Sequence, residues 1–176
     1  MEGWSVILLL SWLMTGTGLD THTVKQVDLQ RYMGTWYEIA RLDHSFERGL
    51  VGVTAEYTLK DNGKIRVVNR GYKGRLTGKL KTAKGKAYVP DSSDPGKLRV
   101  SFFPFIYSDY YILELEPENY EWVLVGSSSK RYLWILSRSS RPDPETLARI
   151  LTKVRSRGYD PSALIFPEQM TMSKVH

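Results

Sequence analysis

Gly34-Thr35-Trp36-Tyr37-Glu38-Ile39-Ala40-Arg41-Leu42-Asp43 is the stretch whose reading decides the fold. A Gly-x-Trp by itself is a weak signal. Here it opens an array of short β-rich runs that closes at Arg138, a hundred residues later. The runs cover approximately 35–43, 51–60, 64–72, 79–89, 97–103, 109–116, 121–127 and 132–138. Turn signals separate them: Asp61-Asn62-Gly63, Gly74, Pro90 through Gly96, Pro117-Glu118-Asn119 and Ser127-Ser128-Ser129. Asn-Gly tolerates positive φ and suits a hairpin. Short strands at this regular spacing predict an all-β barrel or sandwich. Eight sequential strands with short links fit an eight-stranded antiparallel up-and-down β-barrel, whose closure removes exposed edges.

After Arg138 the period changes. Asp143 suits a helix N-cap, Pro144 the first helical position and Gly158 the end. Leu147, Ile150, Leu151 and Val154 share one face at helical spacing, with Arg149, Lys153 and Arg157 opposite. The apolar stripe is narrow and lacks Trp and Phe, which favours a C-terminal α-helix packed outside the barrel over one lying on a membrane. Residues 163–166, Ala-Leu-Ile-Phe, can add a short strand.

The chain has 176 residues, a one-domain length. Residues 6–14 are apolar but too short to span a bilayer. Followed by Gly16-Thr17-Gly18, they read as a signal-peptide core and cleavage site over 1–18, although Glu2 stands where a basic residue is usual. Residues 19–27 read as a linker, 28–168 as the barrel domain and 169–176 as a flexible tail. The net charge is +6. The Lys and Arg are scattered, and the densest cluster, Lys73 to Lys86, has no aromatic interleaving. That favours a solvated basic surface with no partner over attraction to an anionic membrane surface or nucleic acid. Cysteine is absent, so disulfides and thiolate chemistry are excluded.

Three motifs stand in order: Gly34-x-Trp36 on the first strand, Ser108-Asp109-Tyr110 in the middle, and Arg138 at the end of the eighth. With the stretches Gly34–Gly49 and Tyr132–Arg138, they resemble the lipocalin family over residues 25–168. The nearest likeness is to the bacterial outer-membrane lipocalins, apolipoprotein D and the plant temperature-induced lipocalins. Each motif has a physical reason. Gly34 turns the chain into the barrel floor. Trp36 plugs that floor, and its N–H needs a partner. Arg138 can lay its guanidinium over the indole. The resemblance implies a calyx that binds fatty acids, lysophospholipids or similar lipids, with a peripheral membrane contact. It also implies export to the periplasm or outer membrane. The bacterial members carry a lipidated N-terminal Cys that this leader lacks, so a soluble exported form is expected, or a cytoplasmic one if the leader is not a signal. The chain is expected as a monomer or a homodimer.

Alternate strand residues face into a barrel. Counted from Trp36, the inward set is Glu38, Ala40 and Leu42. Further strands add Val53, Ala55 and Tyr57; Ile65, Val67 and Asn69; Val100 and Phe102; Tyr111 and Leu113; and Trp134. A slip of one residue inverts any of these sets. Such residues line a hollow or fill a core, and the family resemblance implies a cavity. An inward Glu38 is costly unless paired, and Tyr57, Asn69 or an arginine can satisfy it. The 44–50 loop is expected at the mouth. There Phe46 can act as a lid and Arg48 can meet a phosphate or carboxylate. Phe103-Pro104-Phe105-Ile106-Tyr107 forms a second apolar loop. Charging Phe46 or Phe105 is expected to weaken lipid uptake without unfolding the protein.

No catalytic constellation stands out. His22, His44 and His176 lack metal-ligand spacing, so no metal and no cofactor is expected. His44 beside Asp43 and Glu47 fits a solvated loop better than an acid–base cluster. Gly126-Ser127-Ser128-Ser129 lacks the nucleophile-elbow pattern. The expected function is non-enzymatic lipid binding for transport or storage, serving membrane lipid maintenance. The alternative is a lipocalin-type enzyme acting on a hydrophobic substrate.

Overall fold

A computed structural model describes residues 18–171. The leader expected over 1–18, apart from Gly18, and the tail beyond 171 lie outside the described residues. Nine strands follow in order: β1 (Gly34–Leu42), β2 (Leu50–Leu59), β3 (Ile65–Lys73), β4 (Leu80–Tyr88), β5 (Lys97–Phe103), β6 (Ile106–Leu115), β7 (Trp122–Gly126), β8 (Leu133–Ser137) and β9 (Leu164–Ile165). Each of the first seven pairs antiparallel with the next, and β1 pairs with both β2 and β8. The expected eight-stranded barrel is therefore closed. The β5–β6 connection is tighter than the sequence suggests. Phe103 pairs with Ile106, leaving Pro104 and Phe105 as a two-residue turn.

A short helix α1 (Leu29–Tyr32), capped by the Asp28 side chain, runs under the barrel. Helix α2 (Pro144–Ser156) starts as read, with Asp143 accepting from the Thr146 N–H at 2.8 Å. Gly158 ends the helical run at φ 86°, a conformation glycine adopts without strain. Ile150 and Val154 are fully buried against the outer barrel wall with Leu113, Leu124, Leu133 and Ile135. That wall is apolar on both faces, a second core outside the first.

The expected linker is docked rather than loose. Val24 donates to the Ile112 carbonyl, Thr23 Oγ1 donates to Asp94, and Arg157 bonds the His22 carbonyl. The start of the expected tail is pinned too. β9 pairs with Arg41 and Leu42 of β1. β1 and β2 pair only from Gly34 to Tyr37, and above that level they part. Gln169 bridges the gap, its Nε2 donating to the carbonyls of Glu38 (3.0 Å) and Val53 (2.9 Å). Backbone donors at this parting would otherwise be orphaned, and Gly52 N–H finds the Glu168 carbonyl at 2.7 Å.

Candidate ligand-binding site

The closed end is built around Trp36, which is fully buried. Its indole N–H donates to the Tyr32 carbonyl at 2.9 Å. Arg138 lies 3.8 Å over the ring and donates to the carbonyls of Arg31, Tyr32, Met33 and Thr35. Those carbonyls end α1 and enter β1, where helix termini leave acceptors unpaired. One guanidinium thus closes the floor electrostatically and by stacking. Gly34, at φ 95°, makes the turn into β1.

Above the floor lies a tyrosine layer. Tyr110 Oη is 2.7 Å from Tyr32 Oη and 2.9 Å from Tyr57 Oη. Burial pushes all three phenols above their usual range, so they stay neutral hydrogen-bonding groups. A void of about 10 Å³ remains between this layer and Ile65, Ala87, Leu98 and Val100, room for about one water. The lower barrel is a filled core.

The upper barrel differs. On the inner face of β2, β3 and β4 the register aligns Ala55 with Asn69 and Asn69 with Ala83, and Gly71 with Lys81. These side chains are mostly small. Ala83 faces inward yet is exposed, so solvent enters the cup from above. Asn69 Oδ1 is buried and lacks a hydrogen-bond partner. Phe102 and Trp134 stand on the facing wall, each partly buried.

A buried polar cluster rims the cup where β1 meets the 44–50 loop. Glu38 and Arg41 are each 2% exposed and form an ion pair. Arg41 also donates to the carbonyls of Glu47 (3.0 Å) and Leu50 (3.3 Å). Glu47 accepts from Trp134 Nε1 at 2.9 Å, and His44 Nε2 lies 2.9 Å from the same carboxylate without hydrogen-bond alignment. Phe46 stacks on the His44 ring, with centroids 3.9 Å apart. Burial, and then the Glu47 charge, raise Glu38 to about 8, while Arg41 opposes the shift. Outside this rim an open groove of about 450 Å³ runs between Asp43, His44, Arg131, Tyr132 and Ala163, separate from the cup.

The structure brings most of the expected inward residues together. Glu38, Ala55, Tyr57, Ile65, Val67, Asn69, Val100, Phe102 and Trp134 face inward, and Val53 is buried against Gly71. Three do not. Ala40 turns outward beneath α2, because the β1–β8 register shifts between Glu38 and Ala40 and delivers Arg41 inward instead. Leu42 follows it. Tyr111 and Leu113 pack on the outer side, and Tyr110 and Ile112 take the inner one. Arg48 reaches the mouth but is held by both oxygens of Asp43, the shorter contact 2.8 Å. Asp109 pairs with Arg99 at 2.7 Å and accepts from Ser128. Arg41, His44, Glu47 and the tyrosine layer were not read from the sequence as a site. The one available signal was Glu38, whose unpaired charge demanded a cation nearby.

The sequence model of the Lipocalin-like domain family matches residues 27–169. This chain belongs to the lipocalin family. Lipocalins bind small hydrophobic ligands. Among similar proteins, the outer membrane lipoprotein Blc of Vibrio cholerae is 43% identical over 166 residues, covering 93% of this chain and 96% of that one. Temperature-induced lipocalin-1 of Arabidopsis thaliana is 38% identical, covering 82% and 81%. In structure, insecticyanin from the tobacco hornworm Manduca sexta aligns with a TM-score of 0.68 at 22% identity, covering 86% of this chain and 85% of that one. The lipocalin barrel here matches that structure in fold.

Proposed function

We propose that this lipocalin takes the hydrocarbon tail of a single-chain lipid, a fatty acid or lysophospholipid, into its upper cup. It would carry or store that lipid in the cell envelope, in contact with membranes and without catalysing a reaction. The observation that supports this most directly is the division of the barrel. A hydrogen-bonded aromatic layer seals the lower part, and the wall above it combines small residues (Ala55, Gly71, Ala83) with apolar Phe102 and Trp134. Apolar pockets of this kind, with a few polar groups, favour hydrocarbon ligands. Asn69 Oδ1, buried on this wall without a partner, offers an acceptor there. His44 lies beneath the Phe46 ring and is 6% exposed, so it is a poor base for chemistry in the cup. The relatives named outer membrane lipoprotein support the envelope setting.

The test is titration of delipidated protein with oleate and with lysophosphatidylcholine, followed through Trp fluorescence, since Trp134 lines the cup. Saturable quenching is expected. Ala83→Trp should fill the cup from its solvent-exposed side and weaken uptake by roughly tenfold or more, with an unchanged far-UV spectrum. Absence of quenching by either lipid, together with no lipid co-purifying in native mass spectrometry, would remove this reading.

A further inference from the structure

Residues 62–90 carry nine Lys and Arg and not one Asp or Glu. They form β3, β4 and the hairpin between them. Lys73, Arg75, Lys79, Lys81, Lys84 and Lys86 are all exposed, and among the described residues none of the six forms an ion pair. The strip runs between two apolar tips at the mouth. At one side the β3–β4 turn touches the 44–50 loop, Gly74 N–H donating to the Gly49 carbonyl at 2.8 Å, and that loop carries Phe46. At the other side Lys86 lies 5.8 Å over the ring of Tyr107, in the β5–β6 hairpin. That hairpin ends in Phe103, Phe105 and Ile106, which are 69%, 96% and 64% exposed.

Three adjacent apolar side chains in water are unfavourable. Phe105 is more costly still. It has φ 65°, a conformation that favours glycine and that bulky residues rarely adopt. The chain keeps a phenylalanine there and directs it outward. Strain held at an exposed apolar tip, beside an unneutralised cationic strip, has a physical rationale if the tip leaves water on docking.

We propose that the mouth face docks onto an anionic lipid surface. Phe103, Phe105 and Ile106 enter the acyl boundary, and Lys73, Arg75, Lys79, Lys84 and Lys86 meet the headgroup phosphates. This deepens the lipid-binding reading and rests on it for its purpose, because docking sets the open cup against the layer that supplies its ligand. Interfacial binding of this kind combines buried apolar area with attraction to anionic lipid. Each basic residue near such a surface contributes roughly fivefold in affinity at moderate salt.

The experiment is co-sedimentation of the full-length protein with vesicles of phosphatidylcholine alone, and of phosphatidylcholine mixed equally with phosphatidylglycerol. In parallel, oleate quenching is measured in vesicle-free solution. Wild type is expected to bind the mixed vesicles and to lose binding as salt rises. Phe105→Asp should weaken vesicle binding by roughly tenfold and slow uptake from vesicles. The triple change Lys79→Glu, Lys84→Glu, Lys86→Glu should abolish the preference for phosphatidylglycerol. Both variants should keep wild-type oleate quenching in solution, which also shows that they fold. Wild-type protein that quenches with oleate yet sediments with neither vesicle overturns the docking proposal and leaves the cup reading standing. Vesicle binding without oleate quenching does the reverse. Binding unchanged in Phe105→Asp, with equal affinity for heparin, would reduce the surface to a general polyanion patch. A dimer that Phe105→Asp dissociates, without vesicle binding in wild type, would assign the tip to a second copy. Either result overturns the proposal.

Discussion

Replacing Arg41 with methionine should destabilise the barrel by about 3–5 kcal/mol, and by roughly 1 kcal/mol more at pH 8.5 than at pH 5. Arg41 is the cation that faces buried Glu38, and Glu47 presents a second carboxylate to the same site. Removing it leaves two acids to share a dry rim. The pH dependence follows from linkage. Glu38 titrates near 4.5 in an unfolded chain and is raised to about 8 in the folded one. Between those values the folded protein keeps a proton that the unfolded chain has released. Stability is therefore highest below about 4.5 on this account and declines as pH rises through 8. At pH 5 Glu38 is neutral and needs its cation less, so the Arg41→Met defect is smaller there by about 1 kcal/mol, the share that Glu38 ionisation adds by pH 8.5. Glu38→Gln should flatten the decline, and Glu38→Leu with Arg41→Met should recover most of the loss. Urea unfolding at both pH values measures all three. Equal Arg41→Met defects at pH 5 and pH 8.5 would show that charge is not the cause.

Trp36→Ala is expected to cost about 3–5 kcal/mol, a fall in Tm of roughly 6–20 °C for a domain of this size. The indole is fully buried, packs on Tyr32 with ring centroids 5.2 Å apart, and forms the surface on which Arg138 lies. Its removal opens a cavity at the level where α1, β1 and β2 meet. Arg138 keeps its four carbonyl contacts, so Trp36→Phe should lose less, sparing the stacked face and giving up the N–H bond to Tyr32. Lipid quenching should survive in Trp36→Phe, because the cup lies above the tyrosine layer. Calorimetry distinguishes the cases, and a Tm change under a few degrees for Trp36→Ala would show that the floor is not sealed by this residue.

Both predictions concern residues whose legibility differed. Trp36, Gly34 and Arg138 were readable because the floor is built from rare residue types at fixed places in the strand order. Arg41 was not. Strand alternation places it outward, and only the bulge after Glu38 turns it in. Backbone slips of one residue leave no mark in composition. β6 failed for a different reason. Tyr110-Tyr111-Ile112-Leu113 is apolar at every position, because α2 covers the outer face of that strand, so alternation carried no information there. The docked 19–27 segment and the Gln169 bridge were equally hidden, since both are satisfied through backbone atoms that every residue possesses.

By itself the sequence determined the number and order of strands, the closing helix with its Asp143 cap, and the family to which the chain belongs. Those are local signals: period, turn chemistry and a few residues no other role would require. Only the tertiary structure decided which face of β1 and β6 looks inward and that Arg41 meets Glu38. The tertiary structure also showed that the lower barrel is filled, while higher up small residues line the inner face and Ala83 is exposed. It placed the cations of β3 and β4 beside the exposed Phe105. Each of these depends on strand register and on contacts between residues far apart in the chain, where a shift of one residue exchanges the inside for the outside.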